Sequence, residues 1–160
     1  GRIVVLNLQP VPAPLDPACY ANGRFADLAQ AKCGAGWALV PECKLEGAGT
    51  RPGFDRMPML VTEKEGSELT FRFRGQAVAV VVAAGLDVGI LEYTLDGAAP
   101  KRQDLFTPWS AGLHIPWIYV LASGLPQGEH ALVLRMAAEK NEKSKGNACR
   151  ICSLGVDGAE

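Results

Sequence analysis

The segment Glu68-Leu-Thr-Phe-Arg-Phe-Arg74 limits the fold more than any other stretch of the chain. Polar and apolar residues alternate strictly, so a strand puts Leu69, Phe71 and Phe73 on one face, where a helix would scatter them. The strand pattern then persists to the end. Ala77 to Ala84 is a continuous Val/Ala run, expected to be a strand covered on both faces. Val88 to Leu95 alternates again, with Leu91, Tyr93 and Leu95 on one side, and ends at Asp96-Gly97, a strong hairpin signal. Ile115 to Leu121 and His130 to Met136 are strands separated by Gly124-Leu-Pro-Gln-Gly128, and Ala148 to Leu154 closes the set.

Upstream, Gly34 to Pro58 is rich in glycine and proline and is expected to be irregular around one short strand, Trp37 to Val40. Asp27 is placed to cap a single helical turn ending near Lys32. Before that, a short apolar strand over the first nine residues, Ile3-Val-Val-Leu6 among them, runs into Pro10-Val-Pro-Ala-Pro14 and Pro17, which impose an extended strap. An α/β sheet needs amphipathic helices between its strands, and this chain has none. The expected architecture is all-β: an antiparallel β-sandwich of jelly-roll type, with roughly seven or eight short strands about ten residues apart. Residues 1–14 form a strand and Pro-rich linker, and residues 15–160 form one sandwich domain.

Charge and cysteine usage narrow the chemistry. Sixteen basic against seventeen acidic side chains leave a net charge of −1, so no basic field exists to hold a nucleic acid. The longest apolar run, Ala77 to Leu86, is too short to cross a bilayer, and no signal-peptide pattern opens the chain. Neither a nucleic-acid nor a membrane partner is expected. Of the five cysteines, Cys149 and Cys152 resemble a metal or redox pair, but on a strand positions three apart face opposite sides. Neither Cys33 and Cys43 nor the two histidines supply a second ligand pair at zinc spacing. Core or half-buried thiols are expected, with one disulfide as the alternative and no metal or cofactor.

The densest functional segment is Asp104 to Tyr119, which gathers Trp109, His114, Trp117 and Tyr119 in and around one connection between strands. Flat aromatic faces with polar edges suit the C–H face and hydroxyl rim of a sugar. The competing reading is that Trp117 and Tyr119, two apart on a strand, fill a core edge. Asp104, Ser110 and His114 do not make a hydrolytic triad, because Ser110 lies in an ordinary loop without a G-x-S-x-G elbow. His114 is expected to be structural, its two nitrogens tied to neighbouring carbonyls. Arg51, in the turn Thr50-Arg-Pro-Gly-Phe54, is suited to a carboxylate, with a structural Asp or Glu as its expected partner. Lys140, Lys143 and Lys145 lie in a polar loop read as a solvated surface, with contact to an acidic saccharide as the alternative.

Several motifs occur in one order: Leu15-Asp16-Pro17 with Tyr20, Asn22-Gly-Arg-Phe25, Gly49-Thr-Arg-Pro-Gly53, Leu91-Glu-Tyr-Thr-Leu-Asp-Gly97, Asp104-Leu-Phe106, Trp109-Ser110 before Gly112-Leu-His114, and Glu139-Lys-Asn141 with Ser144-Lys-Gly146. Together they resemble the β-sandwich domain that follows the catalytic domain in a group of bacterial SGNH/GDSL-type hydrolases. The resemblance spans Leu15 to Leu154. It implies an accessory part of a larger secreted or periplasmic esterase, linked to deacylation of plant or algal polysaccharides, with the SGNH-type catalytic domain of the same polypeptide as its partner. The family's Gly-Asp-Ser and Asp-x-x-His blocks do not occur here, so no catalytic residue is carried over and this chain alone is not expected to be an enzyme. Two kinds of work remain open: contact with carbohydrate or support of the catalytic domain, and purely structural docking or oligomerisation without a ligand. The ligand-contact candidates are Trp109, His114, Trp117, Tyr119, Asp104 and Arg51.

Overall fold

In the computed structural model of this chain the alternating segment is a strand, Glu68–Gly75, with Leu69, Phe71 and Phe73 buried and the residues between them turned outward. Residues 12, 15–16 and 19–158 are described; the strand expected over the first nine residues and most of the proline strap lie outside the described residues. Among the described residues twelve strands follow in chain order: β1 (Gly23–Ala26), β2 (Lys32–Cys33), β3 (Ala38–Cys43), β4 (Gly49–Thr50), β5 (Met57–Thr62), β6 (Glu68–Gly75), β7 (Ala77–Ala84), β8 (Ile90–Leu95), β9 (Lys101–Asp104), β10 (Leu113–Ala122), β11 (Gly128–Met136) and β12 (Cys149–Asp157). A seven-stranded sheet runs β3-β5-β12-β7-β10-β4, with β1 also on β12; a five-stranded sheet runs β2-β6-β11-β8-β9. The strand pairs are antiparallel except the short β10–β4 pair. The fold is an all-β sandwich.

The differences from the sequence reading have local causes. Strand β3 continues through Pro41 to Cys43, and β5 accommodates Pro58; both lie at the margin of the large sheet, where a missing N–H costs little. Strand β9, Lys-Arg-Gln-Asp, has no apolar alternation and exists because the Asp96-Gly97 turn folds it onto β8. Asp96 and Gly97 adopt φ of 51° and 74°, the positive values such a turn needs. The strand expected from Val88 begins at Ile90, and Val88 makes only an isolated bridge to Ala148. The helical turn is a 3-10 turn at Leu28–Gln30, capped by Asp27, whose carboxylate accepts from the Ala29 N–H.

The main core lies between the sheets. Phe71, Leu91, Leu132 and Leu134 come from one side, and Val80, Val82, Ile151 and Leu154 from the other. A smaller core of Cys43, Leu45, Phe54, Met59, Ala83 and Cys152 sits on the outer face of the large sheet. It covers β7 at the Ala83 end, so that strand is apolar on both sides there. Towards Ala79 the same outer face opens to solvent. Cys149 and Cys152 fall into different cores, as opposite faces require, and all five thiols are free. Burial pushes the Cys149 thiol up and raises Cys152 to about 12, so both stay protonated and unreactive at neutral pH.

At one end of the sandwich His130 joins two turns. Its Nδ1 meets Asp96 Oδ2 at 2.7 Å and its Nε2 meets the Pro126 carbonyl at 2.9 Å. Both partners only accept, so both bonds require the imidazolium. The hydrogen bond to Asp96, then the one to Pro126, raises the His130 pKa above its ordinary 6.5. Stability from a raised histidine is fully present below the ordinary value and is lost as pH rises through the raised one. Asp96 is held below its ordinary 3.8 by the Ala131 N–H and His130, so its share is lost only in acid. The wild type is therefore expected to melt above His130→Phe at about pH 5.5, with the gap closing towards about pH 8.5. A gap that stays constant across that range in paired thermal melts would refute the clasp.

Candidate functional site

The connection from β9 to β10 crosses from the small sheet to the large one. Leu105 is its buried anchor, and Pro108–Ser110 forms a 3-10 turn. Thr107 and Ser110 cap each other reciprocally: the Ser110 N–H donates to Thr107 Oγ1, and the Thr107 N–H to Ser110 Oγ, both at 3.1 Å. Pro108 fixes φ at the start of the turn. Between these locked residues Trp109 stands 73% exposed. Nothing in the core requires an indole there, and a rigid, solvated aromatic face is suited to stacking on a ligand.

Asp104 is committed elsewhere. Its Oδ1 accepts from the Phe106 N–H at 2.9 Å and its Oδ2 from Asn141 Nδ2 at 2.6 Å, which fastens the 139–147 loop to the Trp109 connection. Ser144 secures the same loop from inside, donating to the Val88 carbonyl at 2.6 Å, while Lys140, Lys143 and Lys145 stay exposed. Trp117 and Tyr119 face inward from β10 and are half-buried against the main core. Among the described residues the buried Tyr119 hydroxyl has no partner, and burial, then the charge of Asp104, raises it to about 12.

His114 is structural, as expected, but through one nitrogen rather than two, and it is not placed for ligand contact. It is fully buried at the start of β10, so it presents no surface to a ligand. Its Nε2–H donates to the Glu46 carbonyl at 2.9 Å, but among the described residues Nδ1 has no partner, so only one nitrogen ties down a neighbouring loop. Ser110 is equally buried and donates to the Thr107 and Gly85 carbonyls rather than to His114. Arg51 is exposed just after β4, beside the first residues of β10; among the described residues no carboxylate pairs with it, contrary to the structural pair expected. The six candidates thus separate into exposed Trp109 and Arg51, half-buried Asp104, Trp117 and Tyr119, and buried His114.

Two surface features escaped the sequence reading. On the outer face of the large sheet, Gly155 and Ala79 form a low floor between Phe25 and Val120, which lie in register across β1, β12, β7 and β10. With Tyr20 and Ile118 they line an apolar groove of about 260 Å³. A cleft of about 400 Å³ lies between the β8–β9 hairpin and the end of β10. Tyr93 and Leu95, read as core residues, are half-buried because they sit beside this opening.

No family model matches this sequence, and no curated protein matches it either. Solved structures do. A two-domain esterase (CEX) active on acetylated mannans, co-crystallized with mannopentaose, superposes with a TM-score of 0.67 at 16% identity, over 93% of this chain and 40% of that one. A family two carbohydrate esterase from Cellvibrio japonicus gives 0.58 at 12% identity, over 86% of this chain and 33% of that one. The CBM36-1 domain of a multidomain xylanase from the hindgut metagenome of Trinervitermes trinervoides gives 0.50 at 10% identity, over 87% of this chain and 99% of that domain. The chain shares the sandwich fold of carbohydrate-esterase and carbohydrate-binding domains. It spans well under half the length of those esterases. Among the described residues no helix is long and apolar enough to cross a membrane.

Proposed function

We propose that this chain is the non-catalytic, carbohydrate-binding accessory domain of a larger SGNH/GDSL-type esterase, secreted or periplasmic, whose catalytic domain is its partner in the same polypeptide. Residues 15–160 are the binding domain and residues 1–14 its tether. The observation that carries this reading is Trp109: a solvated indole held on a reciprocally capped turn, with Arg51 exposed just after the short strand that pairs with the start of β10. The ordered motifs from Leu15 to Leu154 and the likeness to a two-domain esterase support it. Trp109 supplies the stacking face, and Arg51 a donor for hydroxyl or carboxylate oxygens. Asp104 holds the loops beside Trp109 together, while Trp117 and Tyr119 pack half-buried against the main core.

The test is a glycan-array screen of the 160-residue chain beside Trp109→Ala. A stacking aromatic at the centre of a site contributes about 1–3 kcal/mol, so the variant is expected to lose about tenfold or more in affinity while melting like the wild type. Equal binding by both proteins would remove Trp109 from the site.

The apolar groove favours a second reading, in which the domain docks on its catalytic neighbour. Phe25 is 68% exposed and Ile118 57%, an apolar surface with few groups able to answer sugar hydroxyls. On that reading the isolated chain binds no glycan, and removing it from the full-length esterase lowers the melting temperature of the remainder.

A further inference from the structure

The open side of the sandwich is the gap between two sheet edges. Among the described residues strand β9 pairs only with β8, and β10, beyond its contact with β4 at Leu113 and His114, pairs only with β7. Both strands therefore carry unspent backbone donors and acceptors along this side. Trp109 stands at one end of the gap. At the other end, beside the far end of β10, lies the cleft of about 400 Å³. Its size is that of a small-molecule site rather than a surface wrinkle.

The lining has a saccharide's own mixture. Tyr93, Leu95, Leu121 and Leu125 offer an aromatic and aliphatic floor for C–H faces, while Lys101 and Ser123 offer an ammonium and a hydroxyl. The outer groove is mainly apolar, and its charged residues Arg24 and Asp157 are already bonded to the Gly158 carbonyl and the Asn22 N–H. The cleft walls are held before any ligand arrives: Asp96 Oδ1 accepts the Ala131 N–H at 2.8 Å, His130 bridges Asp96 to Pro126, and the Leu125 N–H donates to the Gln76 carbonyl at 2.9 Å. A preformed, amphiphilic cleft loses little on ordering when a sugar enters. Lys101 forms no ion pair among the described residues, so its charge is available at the rim.

We propose that this cleft is a second saccharide subsite, so that one polysaccharide chain lies along the β9–β10 edge from Trp109 to Lys101. The proposal rests on the carbohydrate-binding reading above, and the experiment separates the two. The 160-residue chain is titrated with mannopentaose and with xylan and pectin oligosaccharides, followed by amide ¹H–¹⁵N spectra. Ala98→Trp and Ser123→Trp, both at exposed positions on opposite walls, fill the cleft without entering the core. Each is checked for an unchanged melting temperature.

At least one oligosaccharide is expected to shift the amides of residues 95–101 and 121–125, and both fillers to weaken its binding by about tenfold or more. In Trp109→Ala the shifts at the cleft are expected to persist at higher ligand concentration. Binding by the wild type with shifts confined to residues 104–112, and fillers within about twofold of it, would overturn the subsite and leave the carbohydrate reading standing. An unshifted wild-type spectrum with all three probes would overturn both.

Discussion

Phe71→Ala is expected to destabilise the domain by about 3–5 kcal/mol. Phe71 is 1% exposed, pairs with Leu132 across β6 and β11, and stacks on Phe73 with centroids 5.8 Å apart. Truncation removes a large apolar side chain from the middle of the sandwich. The two sheets cannot close over the space without moving the strands that flank it. Urea melts followed by circular dichroism read the cost directly. A loss below about 1 kcal/mol would mean that the inner face of β6 is misassigned. Phe25→Ala is the contrasting control: that ring is largely solvated on the outer sheet face and its loss is expected to stay within about 0.5 kcal/mol.

Asp87→Asn is expected to cost about 3 kcal/mol, from a different source. Arg150 is 8% exposed within β12 and is held by Asp87 through two hydrogen bonds, 3.0 and 2.6 Å, with Glu63 at 3.8 Å. Burial works against the Asp87 carboxylate. The hydrogen bonds and charge of Arg150, with smaller help from His114 and a backbone N–H, outweigh it and hold Asp87 below its ordinary 3.8. The amide keeps the shape but leaves a buried guanidinium poorly compensated. Removing both charges, as in Asp87→Asn with Arg150→Met, is expected to restore part of the loss, since a buried pair contributes little net stability but is costly to break.

The pH dependence has a definite sign. A depressed carboxylate contributes stability above its ordinary value and loses it as pH falls through the depressed one. The gap between wild type and Asp87→Asn should therefore be full at about pH 7 and shrink in acid, below the ordinary value. A gap that persists unchanged at about pH 2.5 would rule out ionic pairing as its origin.

How much of this was legible beforehand varies element by element. Strand β6 was readable because alternation is a local property, and Phe71 faces the core whatever lies opposite. The Asp96-Gly97 hairpin was readable because positive φ is a property of two residues. Strand β9 was not, since four polar residues form a strand only when a neighbour supplies the ladder. Trp109 stood out through its place in a polar turn, and the structure leaves it exposed. His114, five residues on, was expected to be structural, but its partner was not readable: it is the Glu46 carbonyl, 68 positions away. Arg51 and Arg150 carry the same charge, yet one is solvated and the other nearly enclosed, and the difference is Asp87, 63 positions from Arg150.

The amino-acid sequence by itself determined the all-β class, the inner faces of the long strands and the main turns, because each follows from backbone preferences and side-chain periodicity within a few residues. The tertiary structure alone decided which sheet edges stay open, and so where a cleft forms. It also decided which polar side chains are spent: Asp104 on Asn141, Asp87 on Arg150 and His130 on Asp96. Those pairings join residues 34 to 63 positions apart. Burial and electrostatics act through space, so they become defined only once the two sheets have closed on each other.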